Sequence, residues 1–233
     1  VYAAAKQQNE SHEGSLQQAL RAMLGSSEFL YRMEFDATPT SADRHPLTPY
    51  ELATRLSYLL WSSAPDDALL AAAADGSLYQ DAPLKAQVDR LLADTARSNR
   101  FVENFYGQWL GARKLPSHPV APDVYAGWSP ALADALMGEM YAYFNDFLRG
   151  ERSWLEFLTA DQNFVNATSA KYYGMPTPPG TGLQKAAFSD KRIGFLGLGG
   201  FCAVSSVDRR SSPTQRRRWI LGNLLCGVDP RHP

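Results

Sequence analysis

Apolar residues in this chain recur mostly three and four positions apart, the spacing that lines one face of an α-helix. Leu16, Leu20, Met23 and Leu24 keep this phase, and Ser26 to Met33 continues it after Gly25 as a second short helix. Thr48-Pro49-Tyr50-Glu51 supplies an N-cap, a first-turn proline and a capping-box glutamate for a helix through Leu52, Leu56, Leu59 and Leu60 to Trp61. Ser63 to Asp67 opens another, which ends near Asp75-Gly76. Further helices are predicted from about Pro83 to Ala93 and from Ser98 to about Leu110, the latter with Phe101, Phe105 and Trp109 on one face. A long one follows Ser129-Pro130 and carries Leu132, Leu136, Met140, Tyr143, Phe144 and Phe147 to Gly150. Short helices are expected at Trp154–Leu158 and Phe164–Tyr173, with an extended segment from Leu183 to Phe188.

Period-two alternation is otherwise scarce, so the pattern predicts an all-α fold of about nine or ten helices closed by a C-terminal helical hairpin. A linker rich in Pro and Thr, Ala37 to Pro46, and a Pro/Gly loop at 174–182 punctuate the chain. They leave sub-blocks at 15–36, 47–174 and 190–226. Too few residues follow the loop for a free-standing core, so the whole of 1–233 reads as one helical domain. The composition fits a globular chain, with 45% hydrophobic and 20% charged residues. No apolar run approaches the length of a membrane span. The N-terminus lacks the pattern of a signal peptide and reads as the middle of a helix, as in a piece of a longer protein.

The formal net charge is only −1, so the chain as a whole is no polyanion binder, and its basic residues matter locally. Five arginines fall between Arg209 and Arg218, around a helix start at Ser212-Pro213. A helix N-terminus is the positive end of a dipole, so cations crowded there call for an anionic answer. Three answers are open: carboxylates of the same domain, an acidic partner recognised by Arg209, Arg210, Arg216 and Arg218 around Ser212, or a small bound anion. Asp161 is a candidate partner for one of these arginines. Its alternative role is helix capping, together with Asn163 and Asn166. Aromatics are not interleaved with the basic residues except at Trp219, which argues against nucleic acid.

Other candidates carry less. His12, His45, His118 and His232 have no i, i+4 histidine partner or nearby cysteine and read as surface positions, with His118 over a haem face as the sharper alternative. Glu103, Glu139 and Asp146 lie on aromatic-rich helices, where an inward acid needs a partner. Gly194, Gly197, Gly199 and Gly200 lack the phase and the lysine of a phosphate loop; small residues there let a helix or a flat ligand approach closely. Cys202 and Cys226 show no CxxC or CxxCH pattern, which excludes covalent haem and a cysteine zinc site within the chain and leaves two unpaired, buried thiols as the expectation.

Several strings resemble one family. Ser26-Ser-Glu-Phe-Leu-Tyr-Arg-Met-Glu34 is similar to the signature of domain of unknown function 1595. Leu47 to Leu70, Phe101 to Leu110, and Ala160 to Asn166 with Tyr172-Tyr-Gly174 are similar to blocks of domain 1592. Arg210-Ser-Ser-Pro-Thr-Gln-Arg-Arg-Arg-Trp-Ile-Leu221 resembles domain 1588, although Arg217 stands where that pattern has glycine. The resemblance implies an exported bacterial protein of planctomycete or myxobacterial type, periplasmic or extracellular, in which c-type cytochrome segments flank the helical region. On that reading this chain holds no cofactor itself, haem c belongs to a flanking segment, and the partner is a c-type cytochrome domain or another protein subunit. The expected role is a scaffold or docking region. An extracellular oxidoreductase or hydrolase, with a pocket at Asp161, Tyr172 and the arginines, is the alternative, as is a subunit of a larger extracellular assembly.

Overall fold

The structure is a computed structural model that describes residues 1–34, 38–41, 46–150, 152–188 and 191–227. His45 and His232 lie outside the described residues. Cα packing gathers the chain into two compact units, one of residues 1–58 and 63–88, the other of 59–62 and 89–233. Two of the three boundaries fall inside helices, and the Pro/Gly loop at 174–182 lies wholly within the second unit.

The first unit is built from α1 (Tyr2–Gln7), α2 (His12–Leu24), α3 (Ser27–Leu30), most of α4 (Pro49–Trp61), α5 (Asp67–Ala74) and the start of α6 (Asp81–Ala93). Its helix starts follow the sequence signals. Ser11, Ser26 and Asp66 each cap a helix by accepting a backbone N–H. At α4 the Thr48 backbone N–H donates to Glu51 Oε2 at 2.8 Å, while the Glu51 N–H donates to Thr48 Oγ1 at 3.3 Å, a reciprocal capping box. The family-like strings of this unit meet in space. Arg32 lies 4.3 Å over the Tyr58 ring, and Glu34 accepts two hydrogen bonds from the Arg55 guanidinium. Leu16, Leu20, Met23 and Leu24 keep their helical phase on α2 but remain exposed.

The second unit adds α7 (Thr95–Phe101), a π-helical stretch at Val102–Tyr106, α8 (Gly107–Trp109), α9 (Pro130–Arg149), α10 (Ala167–Tyr173), α11 (Gly199–Val204) and α12 (Pro213–Trp219). Short 3-10 turns connect them. The expected Ser98–Leu110 helix thus begins three residues earlier, where Asp94 caps it, and its middle is widened into π geometry. Among the described residues there are twelve α-helices, more than the hydrophobic pattern separates, because several are one or two turns long.

One expected helix begins late. Phe164 and Val165 belong to β1 (Gln162–Val165), which pairs antiparallel with β2 (Gln184–Ala187) in the register Gln162↔Ala187 to Val165↔Gln184. Asn166 then starts α10 with a second capping box: its side chain accepts from the Ser169 N–H, and the Ser169 hydroxyl accepts from the Asn166 N–H. A cap at Asn166 forces extended backbone just before it, so the preceding residues pair as a strand. The extended segment expected at 183–188 is β2.

α9 is the axis of the core. Ser129 caps it, Pro130 opens it, and Leu132, Leu136, Met140, Tyr143, Phe144 and Phe147 are buried along one side. Phe157, Phe195, Phe201 and Trp219 extend that packing as a run of ring contacts with centroids 4.7–5.8 Å apart. The glycine-rich segment explains itself here. A Cβ at Gly200 would fall 2.6 Å from Met140 Sδ and 3.0 Å from the Leu136 carbonyl oxygen, so α11 lies against α9 at backbone distance. Gly194 has φ +58°, and a Cβ there would lie 2.1 Å from the Leu158 carbonyl.

Candidate functional site

The arginine segment lies around the helix start that its sequence pattern marks. α12 begins at Pro213, with buried Ser212 as its cap accepting the Gln215 N–H at 3.3 Å. α12 runs on through Trp219 and Ile220, both in right-handed helical conformation, into a π-helical stretch at Ile220–Leu224, so Arg216, Arg217 and Arg218 sit just past the first turn of one continuous helix. Only Arg209 and Arg210 precede the helix. Arg209 is answered by a carboxylate of the same unit: its guanidinium forms a two-pronged ion pair with Asp123, one prong at 3.1 Å. Arg210 is exposed and ties in through its backbone, whose carbonyl accepts the Val207 N–H. Arg216 is half-buried, and its Nε donates to Ser205 Oγ at 3.3 Å. Arg210, Arg216 and Arg217 make no ion pair among the described residues.

Asp161 stands apart from this group. Its side chain is exposed, its carbonyl accepts the Phe188 N–H at 3.0 Å, and its carboxylate pairs with none of the arginines and caps no helix. Of the expected capping residues, Asn166 alone has that role, while the buried Asn163 Oδ1 accepts the adjacent Phe164 N–H at 2.6 Å.

Two depressions adjoin α12. A cleft of about 290 Å³ is walled by Tyr125, Trp128, Leu132 and Tyr172, with Arg216 and His118 also lining it. Burial holds the His118 imidazole below its usual pKa, so it is neutral at pH 7. Cys202 opens into this cleft and its thiol lies 3.7 Å from the Leu196 carbonyl oxygen. Both cysteines are unpaired, as expected, but Cys202 is only half-buried and Cys226 is exposed. A second groove of about 530 Å³ runs past Lys114, Gln215, Arg218, Trp219 and Asn223. Two cations line it, and no carboxylate among the described residues does. The structure thus brings Arg216 together with Tyr172, but not with Asp161 or Arg210.

A third feature is a buried acid. Glu139 is completely buried on α9, in phase with Leu132, Leu136 and Tyr143. The Tyr173 hydroxyl donates to it, 2.7 Å from Oε1, and itself accepts the Gly199 N–H at 2.6 Å. Desolvation raises the Glu139 pKa to about 8, against the opposing pull of Tyr173, Asn163 and Arg192. The Asn163 Nδ2 lacks a partner of hydrogen-bond geometry, so its influence is that of a nearby dipole rather than a made bond. Glu139 is therefore mostly a protonated acid at neutral pH and links α9, α10 and α11 internally. Its signal in the sequence is an acid in phase with an apolar stripe, but nothing there names Tyr173 as its partner. Glu103 is exposed, and Asp146 is paired with Arg152 and Lys185.

Residues 47–175, more than half of the chain, match the sequence pattern of PSD4, a family described as a protein of unknown function (DUF1592). The chain belongs to that family. No curated protein and no solved structure matches it. The PSD4 match takes in α4 through α10, including Glu139, Tyr173 and the first wall of the cleft, and ends before the arginine segment. Among the described residues no group of three or more His, Cys, Asp or Glu is placed to hold a metal ion, and no helix is long and apolar enough to cross a membrane.

Proposed function

We propose that this PSD4 chain is the helical scaffold and docking region of a larger exported protein, and that its occupant is a c-type cytochrome domain. The observation that carries the reading is the groove at Lys114. Lys114 lines it, and among the described residues no acid does. Such a surface favours an acidic counterpart, through on-rate and orientation more than through raw affinity. The c-type cytochrome, the export and the periplasmic or extracellular location come from the resemblance of the flanking strings. The chain's own residues do not fit covalent haem: its two cysteines lie 24 positions apart in sequence, and neither belongs to a CxxCH pattern.

The test is made on the complete natural polypeptide. Its purified form is expected to show a Soret absorption band. Reversing the charge with Lys114→Glu should weaken capture of the separately produced cytochrome domain by at least about tenfold at low ionic strength, with the difference shrinking as salt rises. A complete polypeptide without a Soret band contradicts the cytochrome reading, and undiminished capture by the charge-reversed protein contradicts the groove.

A further inference from the structure

We propose that the cleft at Arg216 is a binding site for a small aromatic monocarboxylate. This inference concerns a cleft lined by Arg216 rather than the docking groove lined by Lys114, and does not depend on it. The volume of about 290 Å³ is that of a small-molecule pocket, near the lower end of the usual range of about 300–1,000 Å³. Three of its walls are flat aromatic rings, Tyr125, Trp128 and Tyr172, and Leu132 forms a buried floor. Ring faces at this density suit a planar aromatic guest better than a branched aliphatic one.

The anion follows from Arg216. Its guanidinium lines the cleft, half withdrawn from water, fixed at Nε by Ser205 Oγ, and without an ion pair among the described residues. That leaves the fork of the guanidinium for a carboxylate, which it matches with two parallel hydrogen bonds. His118, neutral at pH 7, offers a hydrogen bond without adding charge. The exposed Asp208 lines the same cleft and makes no ion pair with Arg216. Its negative charge disfavours a second acidic group on the guest, which selects monoacids over diacids.

The probe is 2-naphthoate, titrated into the whole chain and followed by calorimetry and tryptophan fluorescence, with 2-naphthalenemethanol as the neutral isostere. Naphthoate is expected to bind more tightly than the alcohol. Arg216→Met should lower naphthoate affinity by at least about tenfold, while the alcohol changes by less than about threefold. Arg216→Lys, which keeps the charge and loses the fork, should fall between and serves if the methionine variant does not fold. In a Cys226→Ser background, bound naphthoate should also slow alkylation of Cys202, which reports occupancy of this cleft rather than of the groove. Absence of naphthoate binding, equal binding of acid and alcohol, insensitivity to both Arg216 variants, or an unprotected Cys202 would each overturn the assignment. Any of these results leaves the docking groove, which rests on Lys114, to stand or fall on its own test.

Discussion

Glu139 and the Arg209–Arg218 segment accommodate charged side chains in opposite ways. Glu139 is a single acid fully removed from water, held by the hydroxyl of Tyr173 and shifted by desolvation toward its neutral form. The arginine segment holds five cations near one helix and leaves most of them in contact with solvent, with Arg209 in a two-pronged ion pair to Asp123. The first arrangement serves the fold: it joins three helices and presents nothing to the outside. The second contributes little to the fold, since an exposed pair such as Arg209–Asp123 stabilises by about 1 kcal/mol or less. What it presents outward is a cationic rim beside a groove and an aromatic cleft. In this molecule the perturbed acid lies inside the fold, and most of the arginines lie at its surface.

The interior side of the comparison breaks most easily at Gly194. Gly194→Ala forces a side chain into positive-φ backbone and against the Leu158 carbonyl, where a Cβ would lie 2.1 Å away. A loss of at least about 3 kcal/mol in urea unfolding, or failure to fold, is expected. A variant as stable as the parent would mean that the packing between the 154–158 turn and the 195–197 turn is looser than described.

Glu139 sharpens the same side through pH. Its folded pKa of about 8 lies above the ordinary 4.5, so its contribution is fully present below pH 4.5 and is lost as pH rises toward 8. The linkage corresponds to a fall on the order of 5 kcal/mol across that window, which Glu139→Gln should largely remove. Unfolding free energies of parent and variant, measured from pH 5 to pH 9, are expected to diverge upward in favour of glutamine. Parallel curves would show that the acid ionises without penalty and is reached by solvent.

How far these features can be read from sequence depends on whether their causes are local. Capping is local: Thr48 and Glu51, Ser129 and Pro130, and Asp66 each start a helix within three or four residues of themselves, and all were legible. The strand at Gln162–Val165 was not, because its partner lies some twenty residues on and the apolar spacing of Phe164 and Val165 also suits a helix. The arginines show both cases. Their density and the helix start at Ser212-Pro213 were plain in the sequence, because both are local. The pairing of Arg209 with Asp123 spans 86 positions and had no local signature. The same holds for Tyr172 meeting Arg216 across the cleft, and for Asp161 facing water instead of either.

The central claim is that the outward arginines serve recognition and leave the fold unaffected. The most direct measurement is the unfolding free energy of the double variant Arg210→Ala/Arg217→Ala, two exposed residues whose side chains make no ion pair among the described residues. The account predicts a stability within about 0.5 kcal/mol of the parent, as for surface positions without packing partners. A loss of about 2 kcal/mol or more would show that these arginines are internal fasteners of the hairpin and would contradict the claim.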